Sequence, residues 1–262
     1  METARQTRSL LLIFVALALA GAAILLPSPS AAGPDSGPGY VALGDSIEVG
    51  LGDDVLADGV GYVGPFATYL AVQEHNLGQE GVDVRGIALD QLGPAIVEVL
   101  NHRAYGVVVS WGGGGNDLRH FIASPEAATC QQTPSCLARI DALLNEIERT
   151  IDLTIKKLRF FTGAQATILM RTQYNPMARS GCAPPELVSL AYAALEGDAG
   201  TLARGLNDRI RTVAGTRGAK VVDVFARFVG RENELVAADC VHPNPDGYRV
   251  ILGEFQSAVP AP

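Results

Sequence analysis

Apolar positions recur along this chain with two different periods, and the alternation between them predicts its elements. Short runs rich in apolar residues, read as strands, fall at residues 40–43, 82–88, 105–111, 166–170 and 220–224; that at 105–111, apolar but for one serine, has the pattern of a central strand buried on both faces. Between them, apolar positions return every three or four residues. The clearest case begins at Leu137, where Ile140, Leu143, Leu144, Ile147, Ile151, Ile155 and Leu158 share one face of a long helix. A helix is predicted from Pro65, carrying Phe66, Leu70 and Val72 before Gly78 stops it. Others are predicted at 94–103, with Ile96, Val97 and Leu100 inward, at 202–213, with Leu206, Ile210 and Val213 inward, and at 246–255. Residues 118–135 contain two prolines, one cysteine and little periodicity, so they read as a rim loop or partial lid, and 172–185 as a second one. Strands alternating with helices predict an α/β fold, a five-stranded parallel sheet covered on both faces.

The first residues stand outside this pattern. Arg5 and Arg8 precede the uncharged run 10–26, and the small residues Ser30, Ala31 and Ala32 follow it. That layout predicts a signal peptide or an uncleaved membrane anchor over 1–32, a linker over 33–39, and one domain over 40–262. No cysteine follows the apolar run closely, so a lipid anchor is not expected. With 262 residues, 48% of them hydrophobic, the remainder is long enough for one ordinary core.

Charge and cysteine usage narrow the partners. The formal net charge of −8 and the lack of a basic cluster argue against nucleic acid, whose phosphates are bound by grouped lysines and arginines. Four cysteines in an exported chain predict two disulfides. Cys130 and Cys136 flank a turn-like segment and would close a small loop, leaving Cys182 and Cys240 to tie a long loop to the C-terminal region. These cysteines do not predict a zinc site, because they lack paired spacing and have no histidine near them.

Candidate chemistry collects where predicted strands end. Residues 40–43 lead into Gly44, Asp45 and Ser46, which delivers a hydroxyl to the sheet's carboxyl edge, where open α/β sheets bind ligands. A serine is a weak nucleophile without a base. Of four histidines, His242 has Asp239 three positions before it, close enough to hold one ring nitrogen and leave the other facing Ser46. His75, His102 and His120 lack an acid at a telling spacing and read as surface residues. Asp223 is a rival acid, but it lies inside the apolar run 221–224 and reads as a strand end. After the glycines Gly112, Gly113, Gly114 and Gly115, Asn116 can donate a side-chain N–H to an oxyanion. These glycines do not form a dinucleotide loop, since Asp117 stands where the third glycine belongs and no P-loop lysine follows. Glu48 occupies the place where a nucleophile elbow needs glycine, which argues against an α/β-hydrolase fold.

Gly44 to Ser46, then residues 114–117, then Asp239 with His242, in this order, resemble the SGNH (GDSL-type) hydrolase family over residues 40–255. Family members usually carry a glycine after the second strand whose backbone N–H serves the oxyanion; with that strand at 82–88, Leu89 takes its place. The resemblance implies a three-layer α/β/α sandwich of flavodoxin-like type and a secreted serine hydrolase, an esterase or lipase acting on carboxylic esters. It implies Ser46 as nucleophile, His242 as base and Asp239 orienting it, with Ser46, Leu89 and Asn116 forming the oxyanion hole. No metal or other cofactor is expected, nor any membrane contact beyond the N-terminal segment. The expected partner is a small ester or acylated substrate, and the expected state a monomer. Two alternatives remain open: a carbohydrate deacetylase, which the family also contains, and a non-catalytic binding module on the same fold.

Overall fold

Five strands form the centre of the computed structural model, which describes residues 37–53, 61–164 and 166–260. They are β1 (Gly39–Leu43), β2 (Gln73–Asn76), β3 (Val107–Trp111), β4 (Thr167–Arg171) and β5 (Lys220–Val222). All neighbours are parallel, in the order β2-β1-β3-β4-β5. The leader expected at 1–32, and all but the last residues of the expected linker, lie outside the described residues. Chain connections leave β1 and β3 in opposite directions, and the gap between their carboxyl ends is where such sheets bind ligands. Ser46 follows β1 and Asn116 follows β3, so both are delivered to that gap.

The helices are α1 (Val63–Leu70), α2 (Leu92–His102), α3 (Gly115–Ile122), α4 (Pro134–Thr162), α5 (Pro185–Glu196), α6 (Leu206–Arg217) and α7 (Pro245–Ala258). Period-two alternation along the strands divides the apolar interior in two. Val41, Leu43, Val109, Trp111, Ile168 and Met170 meet α2, α4 and α6, while Tyr40, Ala42, Leu169 and Val222 meet α1 and α7. The result is a three-layer α/β/α sandwich. In α4 the buried stripe Ile140, Leu144, Ile147, Ile151, Ile155 and Leu158 keeps helical spacing through the helix, which Pro134 opens and Gly163 closes.

Several sequence expectations are corrected. The second strand is not 82–88 but Gln73–Asn76, an edge strand whose side chains are mostly exposed and polar, so no apolar run marks it. Residues 82–88 instead contain a helical turn, Val84–Gly86, running into a π-helical turn, Ile87–Gln91; Val84 and Ile87 are apolar because both face the core at helical spacing. Helix α2 buries Leu92, Ala95, Val99 and His102 and leaves Val97 and Leu100 exposed. Its inward face is thus rotated from the expected one, because alanine and histidine fill core positions that larger residues were expected to fill. Helix α1 ends at Leu70, with Ala71 in a left-handed conformation, so Val72 lies beyond it. Residues 118–135 are helical, covered by α3 and a 3₁₀ segment, Pro125–Gln132, and α5 and the later start of α6 had no clear periodic signal. No helix among the described residues is long and apolar enough to cross a membrane.

Two disulfides clamp the ends of these segments. Cys130 pairs with Cys136 across six residues, and Cys182 with Cys240 across 58. Loop-closure entropy scales with the logarithm of loop length, so removing the long bridge should cost about 4 kcal/mol and the short one about 2 kcal/mol. Thermal unfolding of Cys182→Ser/Cys240→Ser and Cys130→Ser/Cys136→Ser proteins checks this, and the first pair should melt lower.

Candidate active site

Ser46 opens a single helical turn, Ser46–Val49, that follows β1 directly. Asp45 caps this turn by accepting from the Ile47 N–H at 3.0 Å, and Glu48 returns a bond by accepting from the Asp45 N–H at 2.9 Å. The capping box directs the Glu48 carboxylate into the protein, where it is fully buried. Arg171, at the end of β4 and equally buried, donates to both its oxygens, at 3.1 Å from Nε and 3.3 Å from Nη2. Tyr62 adds a hydroxyl at 2.9 Å. A side chain at either Gly44 or Gly112 would collide with this carboxylate, so the two strand ends can close on the pair only as glycines.

The same network reaches the second loop. Arg171 donates to Gln173 Oε1 at 3.2 Å, and Gln173 Nε2 donates to the Gly113 carbonyl at 2.8 Å. Gln91 pairs with both backbone groups of Gly44, at 2.9 and 2.8 Å. Burial, and next the Glu48 charge, push Asp45 up to about 6, against the pull of Arg171 and the Ile47 N–H. Burial alone would lower Arg171, but the Glu48 and Asp45 carboxylates hold it above its ordinary range.

From the other end of the chain, His242 Nε2 stands 2.9 Å from Ser46 Oγ, and its Nδ1 2.6 Å from Asp239 Oδ2. An ionised carboxylate can only accept, so Nδ1 carries the proton and Nε2 presents a lone pair to the serine hydroxyl. The other Asp239 oxygen accepts from the Val241 and His242 backbone N–H groups, at 2.9 and 3.0 Å. Desolvation works to raise Asp239, but these N–H groups and the His242 ring hold it below the ordinary carboxylate value. Tyr174 donates to the Val241 carbonyl at 2.6 Å, and Cys240 is bridged to Cys182, so the histidine loop is fixed on both sides.

Asn116 is buried in the first turn of α3, and its Nδ2 donates to the Val82 carbonyl at 2.9 Å. One hydrogen of that amide is thereby used and a second remains. Asp117 accepts from the Val84 N–H at 3.2 Å, so α3 grips residues 82–84 at two points. Burial, and then the Asp83 charge, push Asp117 up to about 6.

Leu89 does not stand where the sequence reading put it. The strand on which that alignment rested is helical, and the Leu89 side chain is 69% exposed on the π-helical turn. Two glycines follow the real second strand. Gly78 is packed against Glu48, Asn76 and Val49, whereas Gly81 has φ +70° and open space around it, next to the Val82 that Asn116 holds. In the sequence Gly81 is marked as following a strand only if the polar residues 73–76 form one. Asp223 caps the short helix Val224–Phe228 and binds Thr172 and Arg211. His120 is exposed, but His75 and His102 are not free surface residues, since they contact each other and His102 is fully buried.

Beside Ser46 and Asn116 opens a cavity that is partly continuous with solvent. Its other walls are largely apolar, with Ile47, Leu118, Ile122, Met177, Leu195 and Val241 among them.

Two consequences can be measured. Arg171→Met strands the buried Glu48 charge and should cost about 3–5 kcal/mol, while adding Glu48→Gln should recover part of the loss; urea unfolding of the single and double variants checks this. Because Asp117 holds its proton more tightly folded than unfolded, its contribution to stability is present below about pH 4 and falls as pH rises to about 6. The Asp117→Asn protein should lack that decline, a difference of about 2–3 kcal/mol near neutral pH, read from unfolding curves at pH 4 and 7.5.

Residues 42–250 match the pattern that defines the GDSL-like lipase/acylhydrolase family. The chain is 22% identical over 233 residues to the spore germination lipase LipC of Bacillus licheniformis, a match covering 84% of this chain and 95% of that protein. Among solved structures it is similar to the lipase Lip_vut3 from a goat rumen metagenome, with a TM-score of 0.63, 20% identity, and 85% and 98% of the two chains covered. It is also similar to phospholipase A1 from Streptomyces albidoflavus NA297, with a TM-score of 0.60, 20% identity, and 84% and 99% covered. At these identities the solved structures show a shared fold.

Proposed function

The chain belongs to the GDSL-like lipase/acylhydrolase family and is a carboxylic ester hydrolase, and from that premise we propose that it is exported and works through Ser46, His242 and Asp239. The observation that carries this reading is the unbroken line of hydrogen bonds from Ser46 Oγ through both nitrogens of His242 to Asp239. In this mechanism Ser46 Oγ attacks the ester carbonyl carbon while His242 Nε2 takes its proton. Asp239 stabilises the imidazolium that results. The tetrahedral intermediate then expels the alcohol, which receives that proton from His242. Water, deprotonated by the same ring, attacks the acyl-enzyme and releases the acid.

The oxyanion is assigned to the Ser46 N–H, the second hydrogen of Asn116 Nδ2, and the Gly81 N–H in place of Leu89. The first N–H groups of a helix have no partner within it, so Ser46, as the first residue of its turn, can turn its own towards substrate. The apolar cavity beside Ser46 supports an ester with a hydrocarbon acyl group over an acetylated sugar, whose hydroxyls would need polar partners there. The two disulfides support export, as an oxidising compartment preserves them.

Ser46→Ala should lose hydrolysis of p-nitrophenyl esters and labelling by a fluorophosphonate while keeping its melting temperature. Retained turnover would overturn the assignment, and in the wild type longer acyl chains should be cleaved faster than acetate. Asn116→Ala should lower kcat by about 10²–10³, with a smaller change in KM, because the bond strengthens only as charge develops on the carbonyl oxygen. Normal kcat beside a lowered melting temperature would show that Asn116 only holds Val82.

A further inference from the structure

His75 on β2, and Glu98 and His102 on α2, place two imidazoles and a carboxylate together, with one ligand atom of each within 4.8 Å of the others. Glu98 and His102 are four residues apart, one helical turn, and so share a face of α2. His75 meets that face from the edge of the sheet. The two Nε2 atoms stand 2.8 Å apart.

The other ring nitrogens decide the protonation. His102 Nδ1 lies 2.9 Å from the Gly37 carbonyl, which can only accept, so Nδ1 carries the hydrogen and the neutral ring has a bare Nε2. His75 Nδ1 lies 3.4 Å from a Glu98 oxygen. If neutral His75 puts its hydrogen on Nδ1, two lone pairs face each other at the Nε2 gap; if it puts it on Nε2, a lone pair faces the carboxylate. The second forms an Nε2–H···Nε2 bond at 2.8 Å but sets its lone pair 3.4 Å from the carboxylate, so each neutral form carries one repulsion that an added positive charge, a second proton or a metal ion, relieves.

We propose that this charge is a transition-metal ion of the zinc type, bound by Nε2 of His75, Nε2 of His102 and the Glu98 carboxylate, with solvent completing the shell. Imidazole nitrogen selects zinc, copper or nickel over magnesium and calcium. Zinc–nitrogen bonds of 2.0–2.1 Å in a tetrahedron set the two nitrogens about 3.3 Å apart, so the rings need to part by about 0.5 Å. The side chains of His75 and Glu98 are 14% and 26% exposed, which leaves the ion a way in. His102 Nε2 is already oriented as a ligand by the Nδ1 bond to the Gly37 carbonyl, the arrangement typical of metal-bound histidines.

The position of the cluster separates it from catalysis. His75 lies in register with Val41, and a side chain at Gly39 would strike the His102 ring, so the cluster sits beside β1 well before the carboxyl end that carries Ser46. The bound ion joins the edge strand β2 to α2 at the start of β1. It is a structural clamp on a short, polar strand.

Equilibrium dialysis of chelator-treated protein against Zn²⁺ should give one ion per chain at micromolar concentration, and saturating Zn²⁺ should raise the melting temperature by about 5 °C or more. His75→Asn should abolish both effects, and Glu98→Gln should weaken binding at least tenfold. Because His102 is buried and its replacement can unfold the protein, His75 and Glu98 carry the test. Co²⁺ bound in place of zinc should give visible absorption bands that disappear in His75→Asn. Absence of stoichiometric binding would overturn the proposal in favour of a proton shared between the rings, and binding that survives His75→Asn would overturn it in favour of another site such as His242.

Discussion

A buried ion pair holds the turn that carries Ser46 in place. Glu48 and Arg171 are separated by 123 residues, and neither is in contact with solvent. Removing two charges from water is expensive, and the interior compensates here with two hydrogen bonds between the partners, a tyrosine hydroxyl, a backbone N–H and the amide of Gln173. Each of those bonds also fixes a part of the site. The Asp45 N–H bond closes the turn that begins with Ser46, and the Gln173 bond continues to the glycine loop before Asn116. A substitution at any of these positions disturbs the geometry of Ser46 and Asn116 together, because the buried charges tolerate no loose partner.

What could be read in the sequence followed from how local each signal was. The parallel sheet, the long helix α4 and the segments ending in Ser46, Asn116 and His242 are marked by apolar periodicity or by residues within a few positions of one another. Asp239 and His242 are three apart and meet through one turn, so spacing alone brought them together. Glu48 and Arg171 could not be paired that way, and Glu48 in the sequence was only a reason to reject a different fold. Strand β2 escaped because an edge strand has no second neighbour to cover it, and Gln73, Glu74, His75 and Asn76 show no apolar run. With the strand expected at 82–88, Leu89 took the place of the glycine that follows the second strand, and His75 read as a surface residue.

Asn116 and Asp117 show how two adjacent residues can serve different ends. Asn116 reaches the Val82 carbonyl with one amide hydrogen and leaves the other for the cavity, while Asp117 takes the Val84 N–H. Together they tie residues 82–84 to the start of α3, even though no strand leads into them. Asp117 is raised by burial, so it is held in this position against its preference for solvent when ionised.

The hydrogen bond between Ser46 and His242 spans 196 residues. Ser46 follows the first strand and His242 stands in the turn before α7, so the contact between them forms only once the two ends of the sheet's chain have come together. On the proposed mechanism, ester cleavage is therefore a report that the whole sheet has closed.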